Sequence, residues 1–254
     1  MKILRTVGLT LLTAVAVAAC GGGGEGRMLA IQNASPGGIW KGTDPISGLS
    51  VTGVITESGQ LQFIRSDGVV YYGSVTTSGN NLSGTYTGVA PAGTTFADGS
   101  TYGTGTVSGT VQARQTLSGT LSFTTANGGA KSGSGTFAFD SLYNSGSSLA
   151  AIAGNYTDAA DNAVVNVNSN GVVFSQSPVT GCVINGQVSI INASYDAYSV
   201  SYSFASCQGA AAYLNGTTAT GLGVLDTTMN PVTAIIGVEN NAAHYVLAES
   251  FPKQ

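Results

Sequence analysis

Tyr198-Ser199-Val200-Ser201-Tyr202-Ser203-Phe204 puts an apolar side chain at every second position and a serine between each pair. Successive side chains of a β-strand point to opposite faces, so this stretch turns one apolar face to a core and one hydroxyl face to water. The same period recurs where Leu61 and Phe63 alternate with Gln60 and Gln62, where Leu121 and Phe123 flank Ser122, and where Phe137 and Phe139 flank Ala138. From about Gly37 onward no segment keeps helical spacing. Asp67-Gly68, Asp98-Gly99, Asn127-Gly128, Asn170-Gly171, Asn185-Gly186 and Asn215-Gly216 punctuate the pattern, and such pairs tolerate the positive φ of tight hairpins. Half-buried strands joined by hairpins predict an all-β fold, an antiparallel meander closed into barrels or sandwich-like layers.

Composition supports a folded β chain. Charged residues make up 8% of the 254 positions, against roughly 25% in average soluble proteins. With 37 glycines and an apolar fraction of 43%, the surface is solvated by hydroxyls and amides, and the apolar content exceeds what disorder allows. The formal charge of −4 includes Lys2 and Arg5 near the start; without them the chain keeps 12 acidic residues and the six bases Arg27, Lys41, Arg65, Arg114, Lys131 and Lys253. These bases are scattered, whereas phosphate neutralisation needs clustered Lys and Arg, so nucleic acid is excluded as a partner.

Residues 1–19 have a signal-peptide layout: a basic start, an apolar segment from Val7 to Ala19, then Val17-Ala18-Ala19-Cys20. As a helix the 13-residue segment rises only about 20 Å, short of the roughly 30 Å hydrocarbon core. Val17-Ala18-Ala19-Cys20 resembles the bacterial lipobox, which implies cleavage before Cys20 and lipid on its thiol and new amino terminus. Several acyl chains together hold a protein stably to a membrane. Residues 20–36, with Gly21 to Gly24 at their start, read as a glycine-rich tether, similar to that of surface lipoproteins of the transferrin-binding class. Gly rather than Asp at position 21 resembles the enteric signal for export onward, which implies the outer membrane.

Two β domains are expected, over 37–142 and 151–254, joined by a linker at 143–150; one continuous β structure is the alternative. Ser58-Gly59-Gln60-Leu61-Gln62-Phe63 resembles Asn170-Gly171-Val172-Val173-Phe174, and Gly73-Ser74-Val75 answers to Gly186-Gln187-Val188. Upstream, Gly38-Ile39-Trp40 has a counterpart in Gly154-Asn155-Tyr156. Gly38-Ile39-Trp40 also resembles the G-x-W signature of the lipocalin and avidin superfamily, and Leu82-Ser83-Gly84-Thr85-Tyr86-Thr87 is similar to an avidin strand. The resemblance implies barrel architecture. It does not extend to biotin, whose pocket in that family is walled by several tryptophans where this chain has Trp40 alone. The C-terminal half, from Gly181 to Leu222, resembles a broad group of proteobacterial lipoproteins.

Once Cys20 is acylated, Cys182 and Cys207 remain, and beyond the inner membrane they are expected to pair. They lie symmetrically about Ala193-Ser194-Tyr195-Asp196, the expected turn of a hairpin. Strict mirror pairing sets Val188 opposite Ser201, whereas the apolar stripe requires Val200 or Tyr202, so a bulge or one-residue shift must intervene.

Chemistry is sparse. The single histidine, His244, reads as a satisfied or solvent-facing strand residue. No Gly-x-Ser-x-Gly elbow opens a helix. Asp158, Asp161 and Asn162 lack the ordered spacing of a calcium loop and read as turn acids. Gly103-Thr104-Gly105-Thr106-Val107-Ser108-Gly109 lacks dinucleotide-loop spacing and reads as a strand. Asp44, Glu57, Asp67 and Asp98 leave a carboxylate pair open. No enzyme activity, cofactor or metal is expected. Two functions remain: a noncatalytic envelope lipoprotein acting as a structural or interaction module, or a carrier of a small apolar ligand inside or at the mouth of a barrel, with Trp40, Tyr156 and Tyr202 as first suspects. Partners would then be the membrane, a protein or that ligand.

Overall fold

Strands β1 (Gly38–Thr43), β2 (Ser50–Ile55), β3 (Gln60–Arg65), β4 (Val70–Ser78), β5 (Asn81–Val89), β6 (Tyr102–Gln112), β7 (Thr116–Thr125) and β8 (Ala130–Asp140) run as an antiparallel meander. Pairing of β8 with β1, from Ile39 opposite Asp140 to Gly42 opposite Phe137, closes them into a barrel. A computed structural model of the chain describes residues 32–254. The signal segment, Cys20 and the tether up to residue 31 lie outside the described residues.

A second meander follows: β9 (Gly154–Thr157), β10 (Val164–Val167), β11 (Val172–Gln176), β12 (Val183–Ile190), β13 (Tyr198–Ala205), β14 (Thr218–Asp226), β15 (Thr233–Asn240) and β16 (Tyr245–Pro252). It is nearly closed, by one bridge between Tyr156 and Lys253 and a 2.8 Å hydrogen bond from the Gln254 N–H to the Asn155 carbonyl. The chain is therefore all-β, as the alternation predicts.

The two barrels repeat the same local devices. Trp40 donates its indole N–H to the Pro36 carbonyl, four residues upstream, at 3.1 Å; Tyr156 donates its hydroxyl to the Ile152 carbonyl, also four upstream, at 2.6 Å. Both rings are fully buried, at 0% and 1% exposure, at the starts of β1 and β9. Gly59 and Gly171 take positive φ in the turns that open β3 and β11, and each carbonyl accepts a 2.8 Å bond from Val75 or Val188. A Cβ on either glycine would lie about 2 Å from that valine's own carbonyl oxygen, so the spacing of the sequence repeat is the spacing of these turns.

The barrels pack side by side through their outer walls. Ile39 and Val54 of the first meet Leu222 and Val224 of the second, and Val70, Tyr72 and Val89 meet Val246. Strands covered on both faces lose their alternation, which is why Gly221 to Asp226 on β14 is buried without interruption. Gln62, read from sequence as a solvent-facing partner of Leu61 and Phe63, is buried in this seam. Its amide accepts from the Leu222 N–H at 2.9 Å and donates to the Leu222 carbonyl at 3.1 Å. One side chain thus satisfies both backbone groups of a residue in the other barrel.

Residues 143–150, read as a linker, are part of the packed structure. A 3-10 helix, Ser141–Ser145, carries Tyr143, which is buried and stacked 4.9 Å from Tyr195. The one-turn helix α1, Leu149–Ile152, is capped by Ser148, whose hydroxyl accepts from the Ala151 N–H. Asn185-Gly186 is also not a turn. It sits within β12, where Tyr202 of the neighbouring strand lies 2.6 Å from where a Gly186 Cβ would stand.

Candidate functional site

In an up-and-down barrel every second connection emerges at the same end. Trp40 closes one end of the first barrel, and residues 44–49, 66–69, 90–101 and 126–129 gather at the other. Two carboxylates and a phenol converge on Arg65 there. Asp67 is held bidentately, Arg65 Nε to Oδ1 and Nη2 to Oδ2, both at 2.8 Å. Asp44 Oδ2 accepts from Arg65 Nη1 at 3.1 Å and from the Tyr71 hydroxyl at 2.9 Å. Burial by itself would push the Asp44 carboxyl up, but the Ile46 N–H, Ser47, Tyr71 and Arg65 outweigh it and hold Asp44 below the usual carboxylate range. For Asp67 the Arg65 guanidinium is the leading cause of a lowered pKa. Burial first, and the Asp44 charge second, push the Tyr71 phenol up.

This network is a lid on the barrel interior. Above it a pocket of about 270 Å³ opens between Ile46, Tyr71, Phe96, Asp98, Phe123 and Lys131. Phe96, from the 90–101 loop, rests 5.2 Å from Phe123. Below it a cavity of about 60 Å³ remains among Val51, Leu61, Phe63, Val107 and Phe137. Asp44 and Asp67 are both held below the usual carboxylate range and both tied to one guanidinium, and Asp98, at the same mouth, is lowered by the Ser100 and Thr125 hydroxyls. Glycoside cleavage needs one member held protonated. Glu57 lies at the other end of the barrel with Arg114, at 2.9 Å. The signals in sequence were Arg65 and Asp67 flanking a turn, and an isolated Phe96 within a polar loop; neither singles out Asp44, which arrives from another hairpin.

Trp40 borders neither the mouth pocket nor the cavity and packs edge-on to Phe139. Tyr156 and Tyr202 face the interior of the second barrel, and Tyr202 also borders a cavity of about 50 Å³ there. The three suspects are thus not brought to one place. Cys182 and Cys207 form a disulfide. Val188 pairs with Val200, and the pairing ends at Val183 with Ala205; Ser206, at φ 58°, supplies the extra residue before Cys207.

His244 is not in a strand. It occupies the turn before β16 at φ 47° and stacks 3.7 Å from Tyr102 of the first barrel, its Nδ1 buried without a partner. Asp158 and Asp161 cap their own loop, accepting from the Ala160 and Ala163 N–H groups. Among the described residues no three His, Cys, Asp or Glu side chains gather as a metal site.

No protein-family model matches the chain, and no curated protein matches it. Among solved structures it is similar to the Aeromonas veronii immune modulator A, at 12% identity over 89% of this chain and 97% of that one, with a TM-score of 0.41. Nothing about this chain's role rests on that likeness.

Proposed function

We propose that this chain is a noncatalytic lipoprotein of the cell envelope, held to the outer membrane through lipid on Cys20, whose barrels form a structural or interaction module. Residues 37–142 and 151–254 are its two domains. The observation that supports this reading is the filling of both barrels. Their interiors keep cavities of about 60 and 50 Å³, well below the roughly 150 Å³ that admits benzene. A carrier would need its space elsewhere, and the mouth pocket of about 270 Å³ favours one second reading: a small apolar ligand held against Phe96, Phe123 and Tyr71.

Native mass spectrometry of protein extracted from envelopes tests both. The expected mass is that of a chain starting at Cys20 with its acyl groups and nothing more. A further small-molecule mass, lost on substitution of Phe96, would favour the carrier; an unacylated Cys20 still joined to upstream residues would overturn the lipoprotein.

A further inference from the structure

A concavity of about 530 Å³ lies outside the barrels, on the outer wall of the first one across β4 to β7. Tyr72 of β4 and Asn241 of the second barrel bound one side, linked by a 3.2 Å hydrogen bond from the tyrosine hydroxyl. Strand register sorts the floor into rows. Thr87, Thr104 and Thr124 stand opposite one another on adjacent strands, and Thr85, Thr106 and Ser122 form the next row. Adjacent strands lie about 4.7–4.9 Å apart, and successive same-face residues along a strand about 6.7 Å, so the hydroxyls form a grid. Thr106 and Ser122 are already hydrogen-bonded at 2.8 Å, which fixes part of it. Among the described residues no charged side chain lines the groove.

That lining selects a ligand by elimination. An anion or cation finds no counter-charge. An apolar body would strip water from the hydroxyls without replacing its hydrogen bonds, and each group left unpaired would oppose binding. Each Ser or Thr hydroxyl donates one bond and accepts two, so the matching ligand is uncharged and dense in groups that do the same. We propose that this groove binds a short neutral oligosaccharide. The proposal rests on reading the chain as an interaction module and names the chemical class of its partner.

The full chain in detergent is titrated with maltotriose, cellotriose, lactose and sialyllactose, with saturation-transfer NMR as the readout. At least one neutral sugar is expected to bind saturably, and sialyllactose more weakly than lactose. Thr85→Val with Thr106→Val keeps the β-branched shape and should weaken binding about tenfold, while Thr106→Ser, which keeps the hydroxyl, should retain it. No saturable binding by any neutral probe overturns the proposal, as does binding that the double variant leaves unchanged. Neither result alters the mass expected at Cys20, so the anchor and the groove fail separately.

Discussion

Asp44, Asp67, Asp98 and Asp140 of the first barrel all have a lowered pKa, whereas Asp196, Glu239 and Glu249 of the second all have a raised one. Burial acts on Asp44 and Asp140 of the first set as it does on the whole of the second, while Asp98 lies exposed; what differs is company. In the first barrel Arg65 holds two carboxylates, Lys41 lies 2.6 Å from Asp140, and the Ser100 and Thr125 hydroxyls take Asp98 to about 2. In the second, Lys253 is the sole Lys or Arg after position 150, and it donates to the Ala151 carbonyl just before β9. Burial therefore dominates there, raising Asp196 to about 7, Glu239 to about 8 and Glu249, beside Asp158, to about 7. Closure differs as well. The first barrel closes on strands of up to 11 residues, while β9 and β10 have four each, and a disulfide supports the second. Two copies of one architecture thus reach stability by pairing length and ion pairs in one case, and by a covalent clasp in the other.

Removing the shared closing device sharpens the comparison most. Trp40→Ala should cost about 3–5 kcal/mol in chemical denaturation, and Tyr156→Ala a similar amount, since each empties a fully buried ring position. A large effect from only one would show that the repeat is not energetically symmetric. Next, Cys182→Ser with Cys207→Ser should remove roughly 3 kcal/mol in the loop-entropy model. Hydrogen exchange should place that loss in β9 to β13, and equal loss in β1 to β8 would mean that the barrels unfold as one cooperative unit.

The last comparison concerns pH. Where the folded pKa is raised, the native state keeps a proton that the unfolded chain releases. The second barrel's contribution is then fully present below 3.8 for Asp196 and below 4.5 for Glu239 and Glu249, and is lost as pH rises through about 7 to 8. In the first barrel the lowered values support the native state above 3.8, and that support is lost as pH falls through them. Exchange protection, corrected for intrinsic rates, should fall in β14 to β16 between about pH 5 and about pH 8 and in β1 to β3 only under acid. Parallel changes in both barrels would break the contrast.

Much of this was legible in the chain. Tyr198 to Phe204 folds with Tyr198, Val200, Tyr202 and Phe204 buried and Ser201 and Ser203 exposed, because period-two burial is local. Five of the six Asx-Gly pairs bring their glycine to positive φ. The one that does not, Asn185-Gly186, has its glycine reserved for the Tyr202 ring, a demand made by another strand. Gln62 was misplaced for the same kind of reason: nothing adjacent to it announces that Leu222 will arrive 160 residues later. The uninterrupted apolar run through Leu222 to Leu225 was the available signal that β14 is covered on both faces.

The sequence by itself determined the strands, most turns, the repeat and the cysteine pair, since each depends on neighbours a few residues away or on counting. Only the tertiary structure decided that Asp44 meets Arg65 and Tyr71, that Gln62 joins the barrels, that the interiors are filled and that hydroxyls from separate hairpins align into one groove. Those outcomes depend on register and wall-to-wall packing, where contacts between residues distant in the chain are set by the whole fold and leave no local pattern.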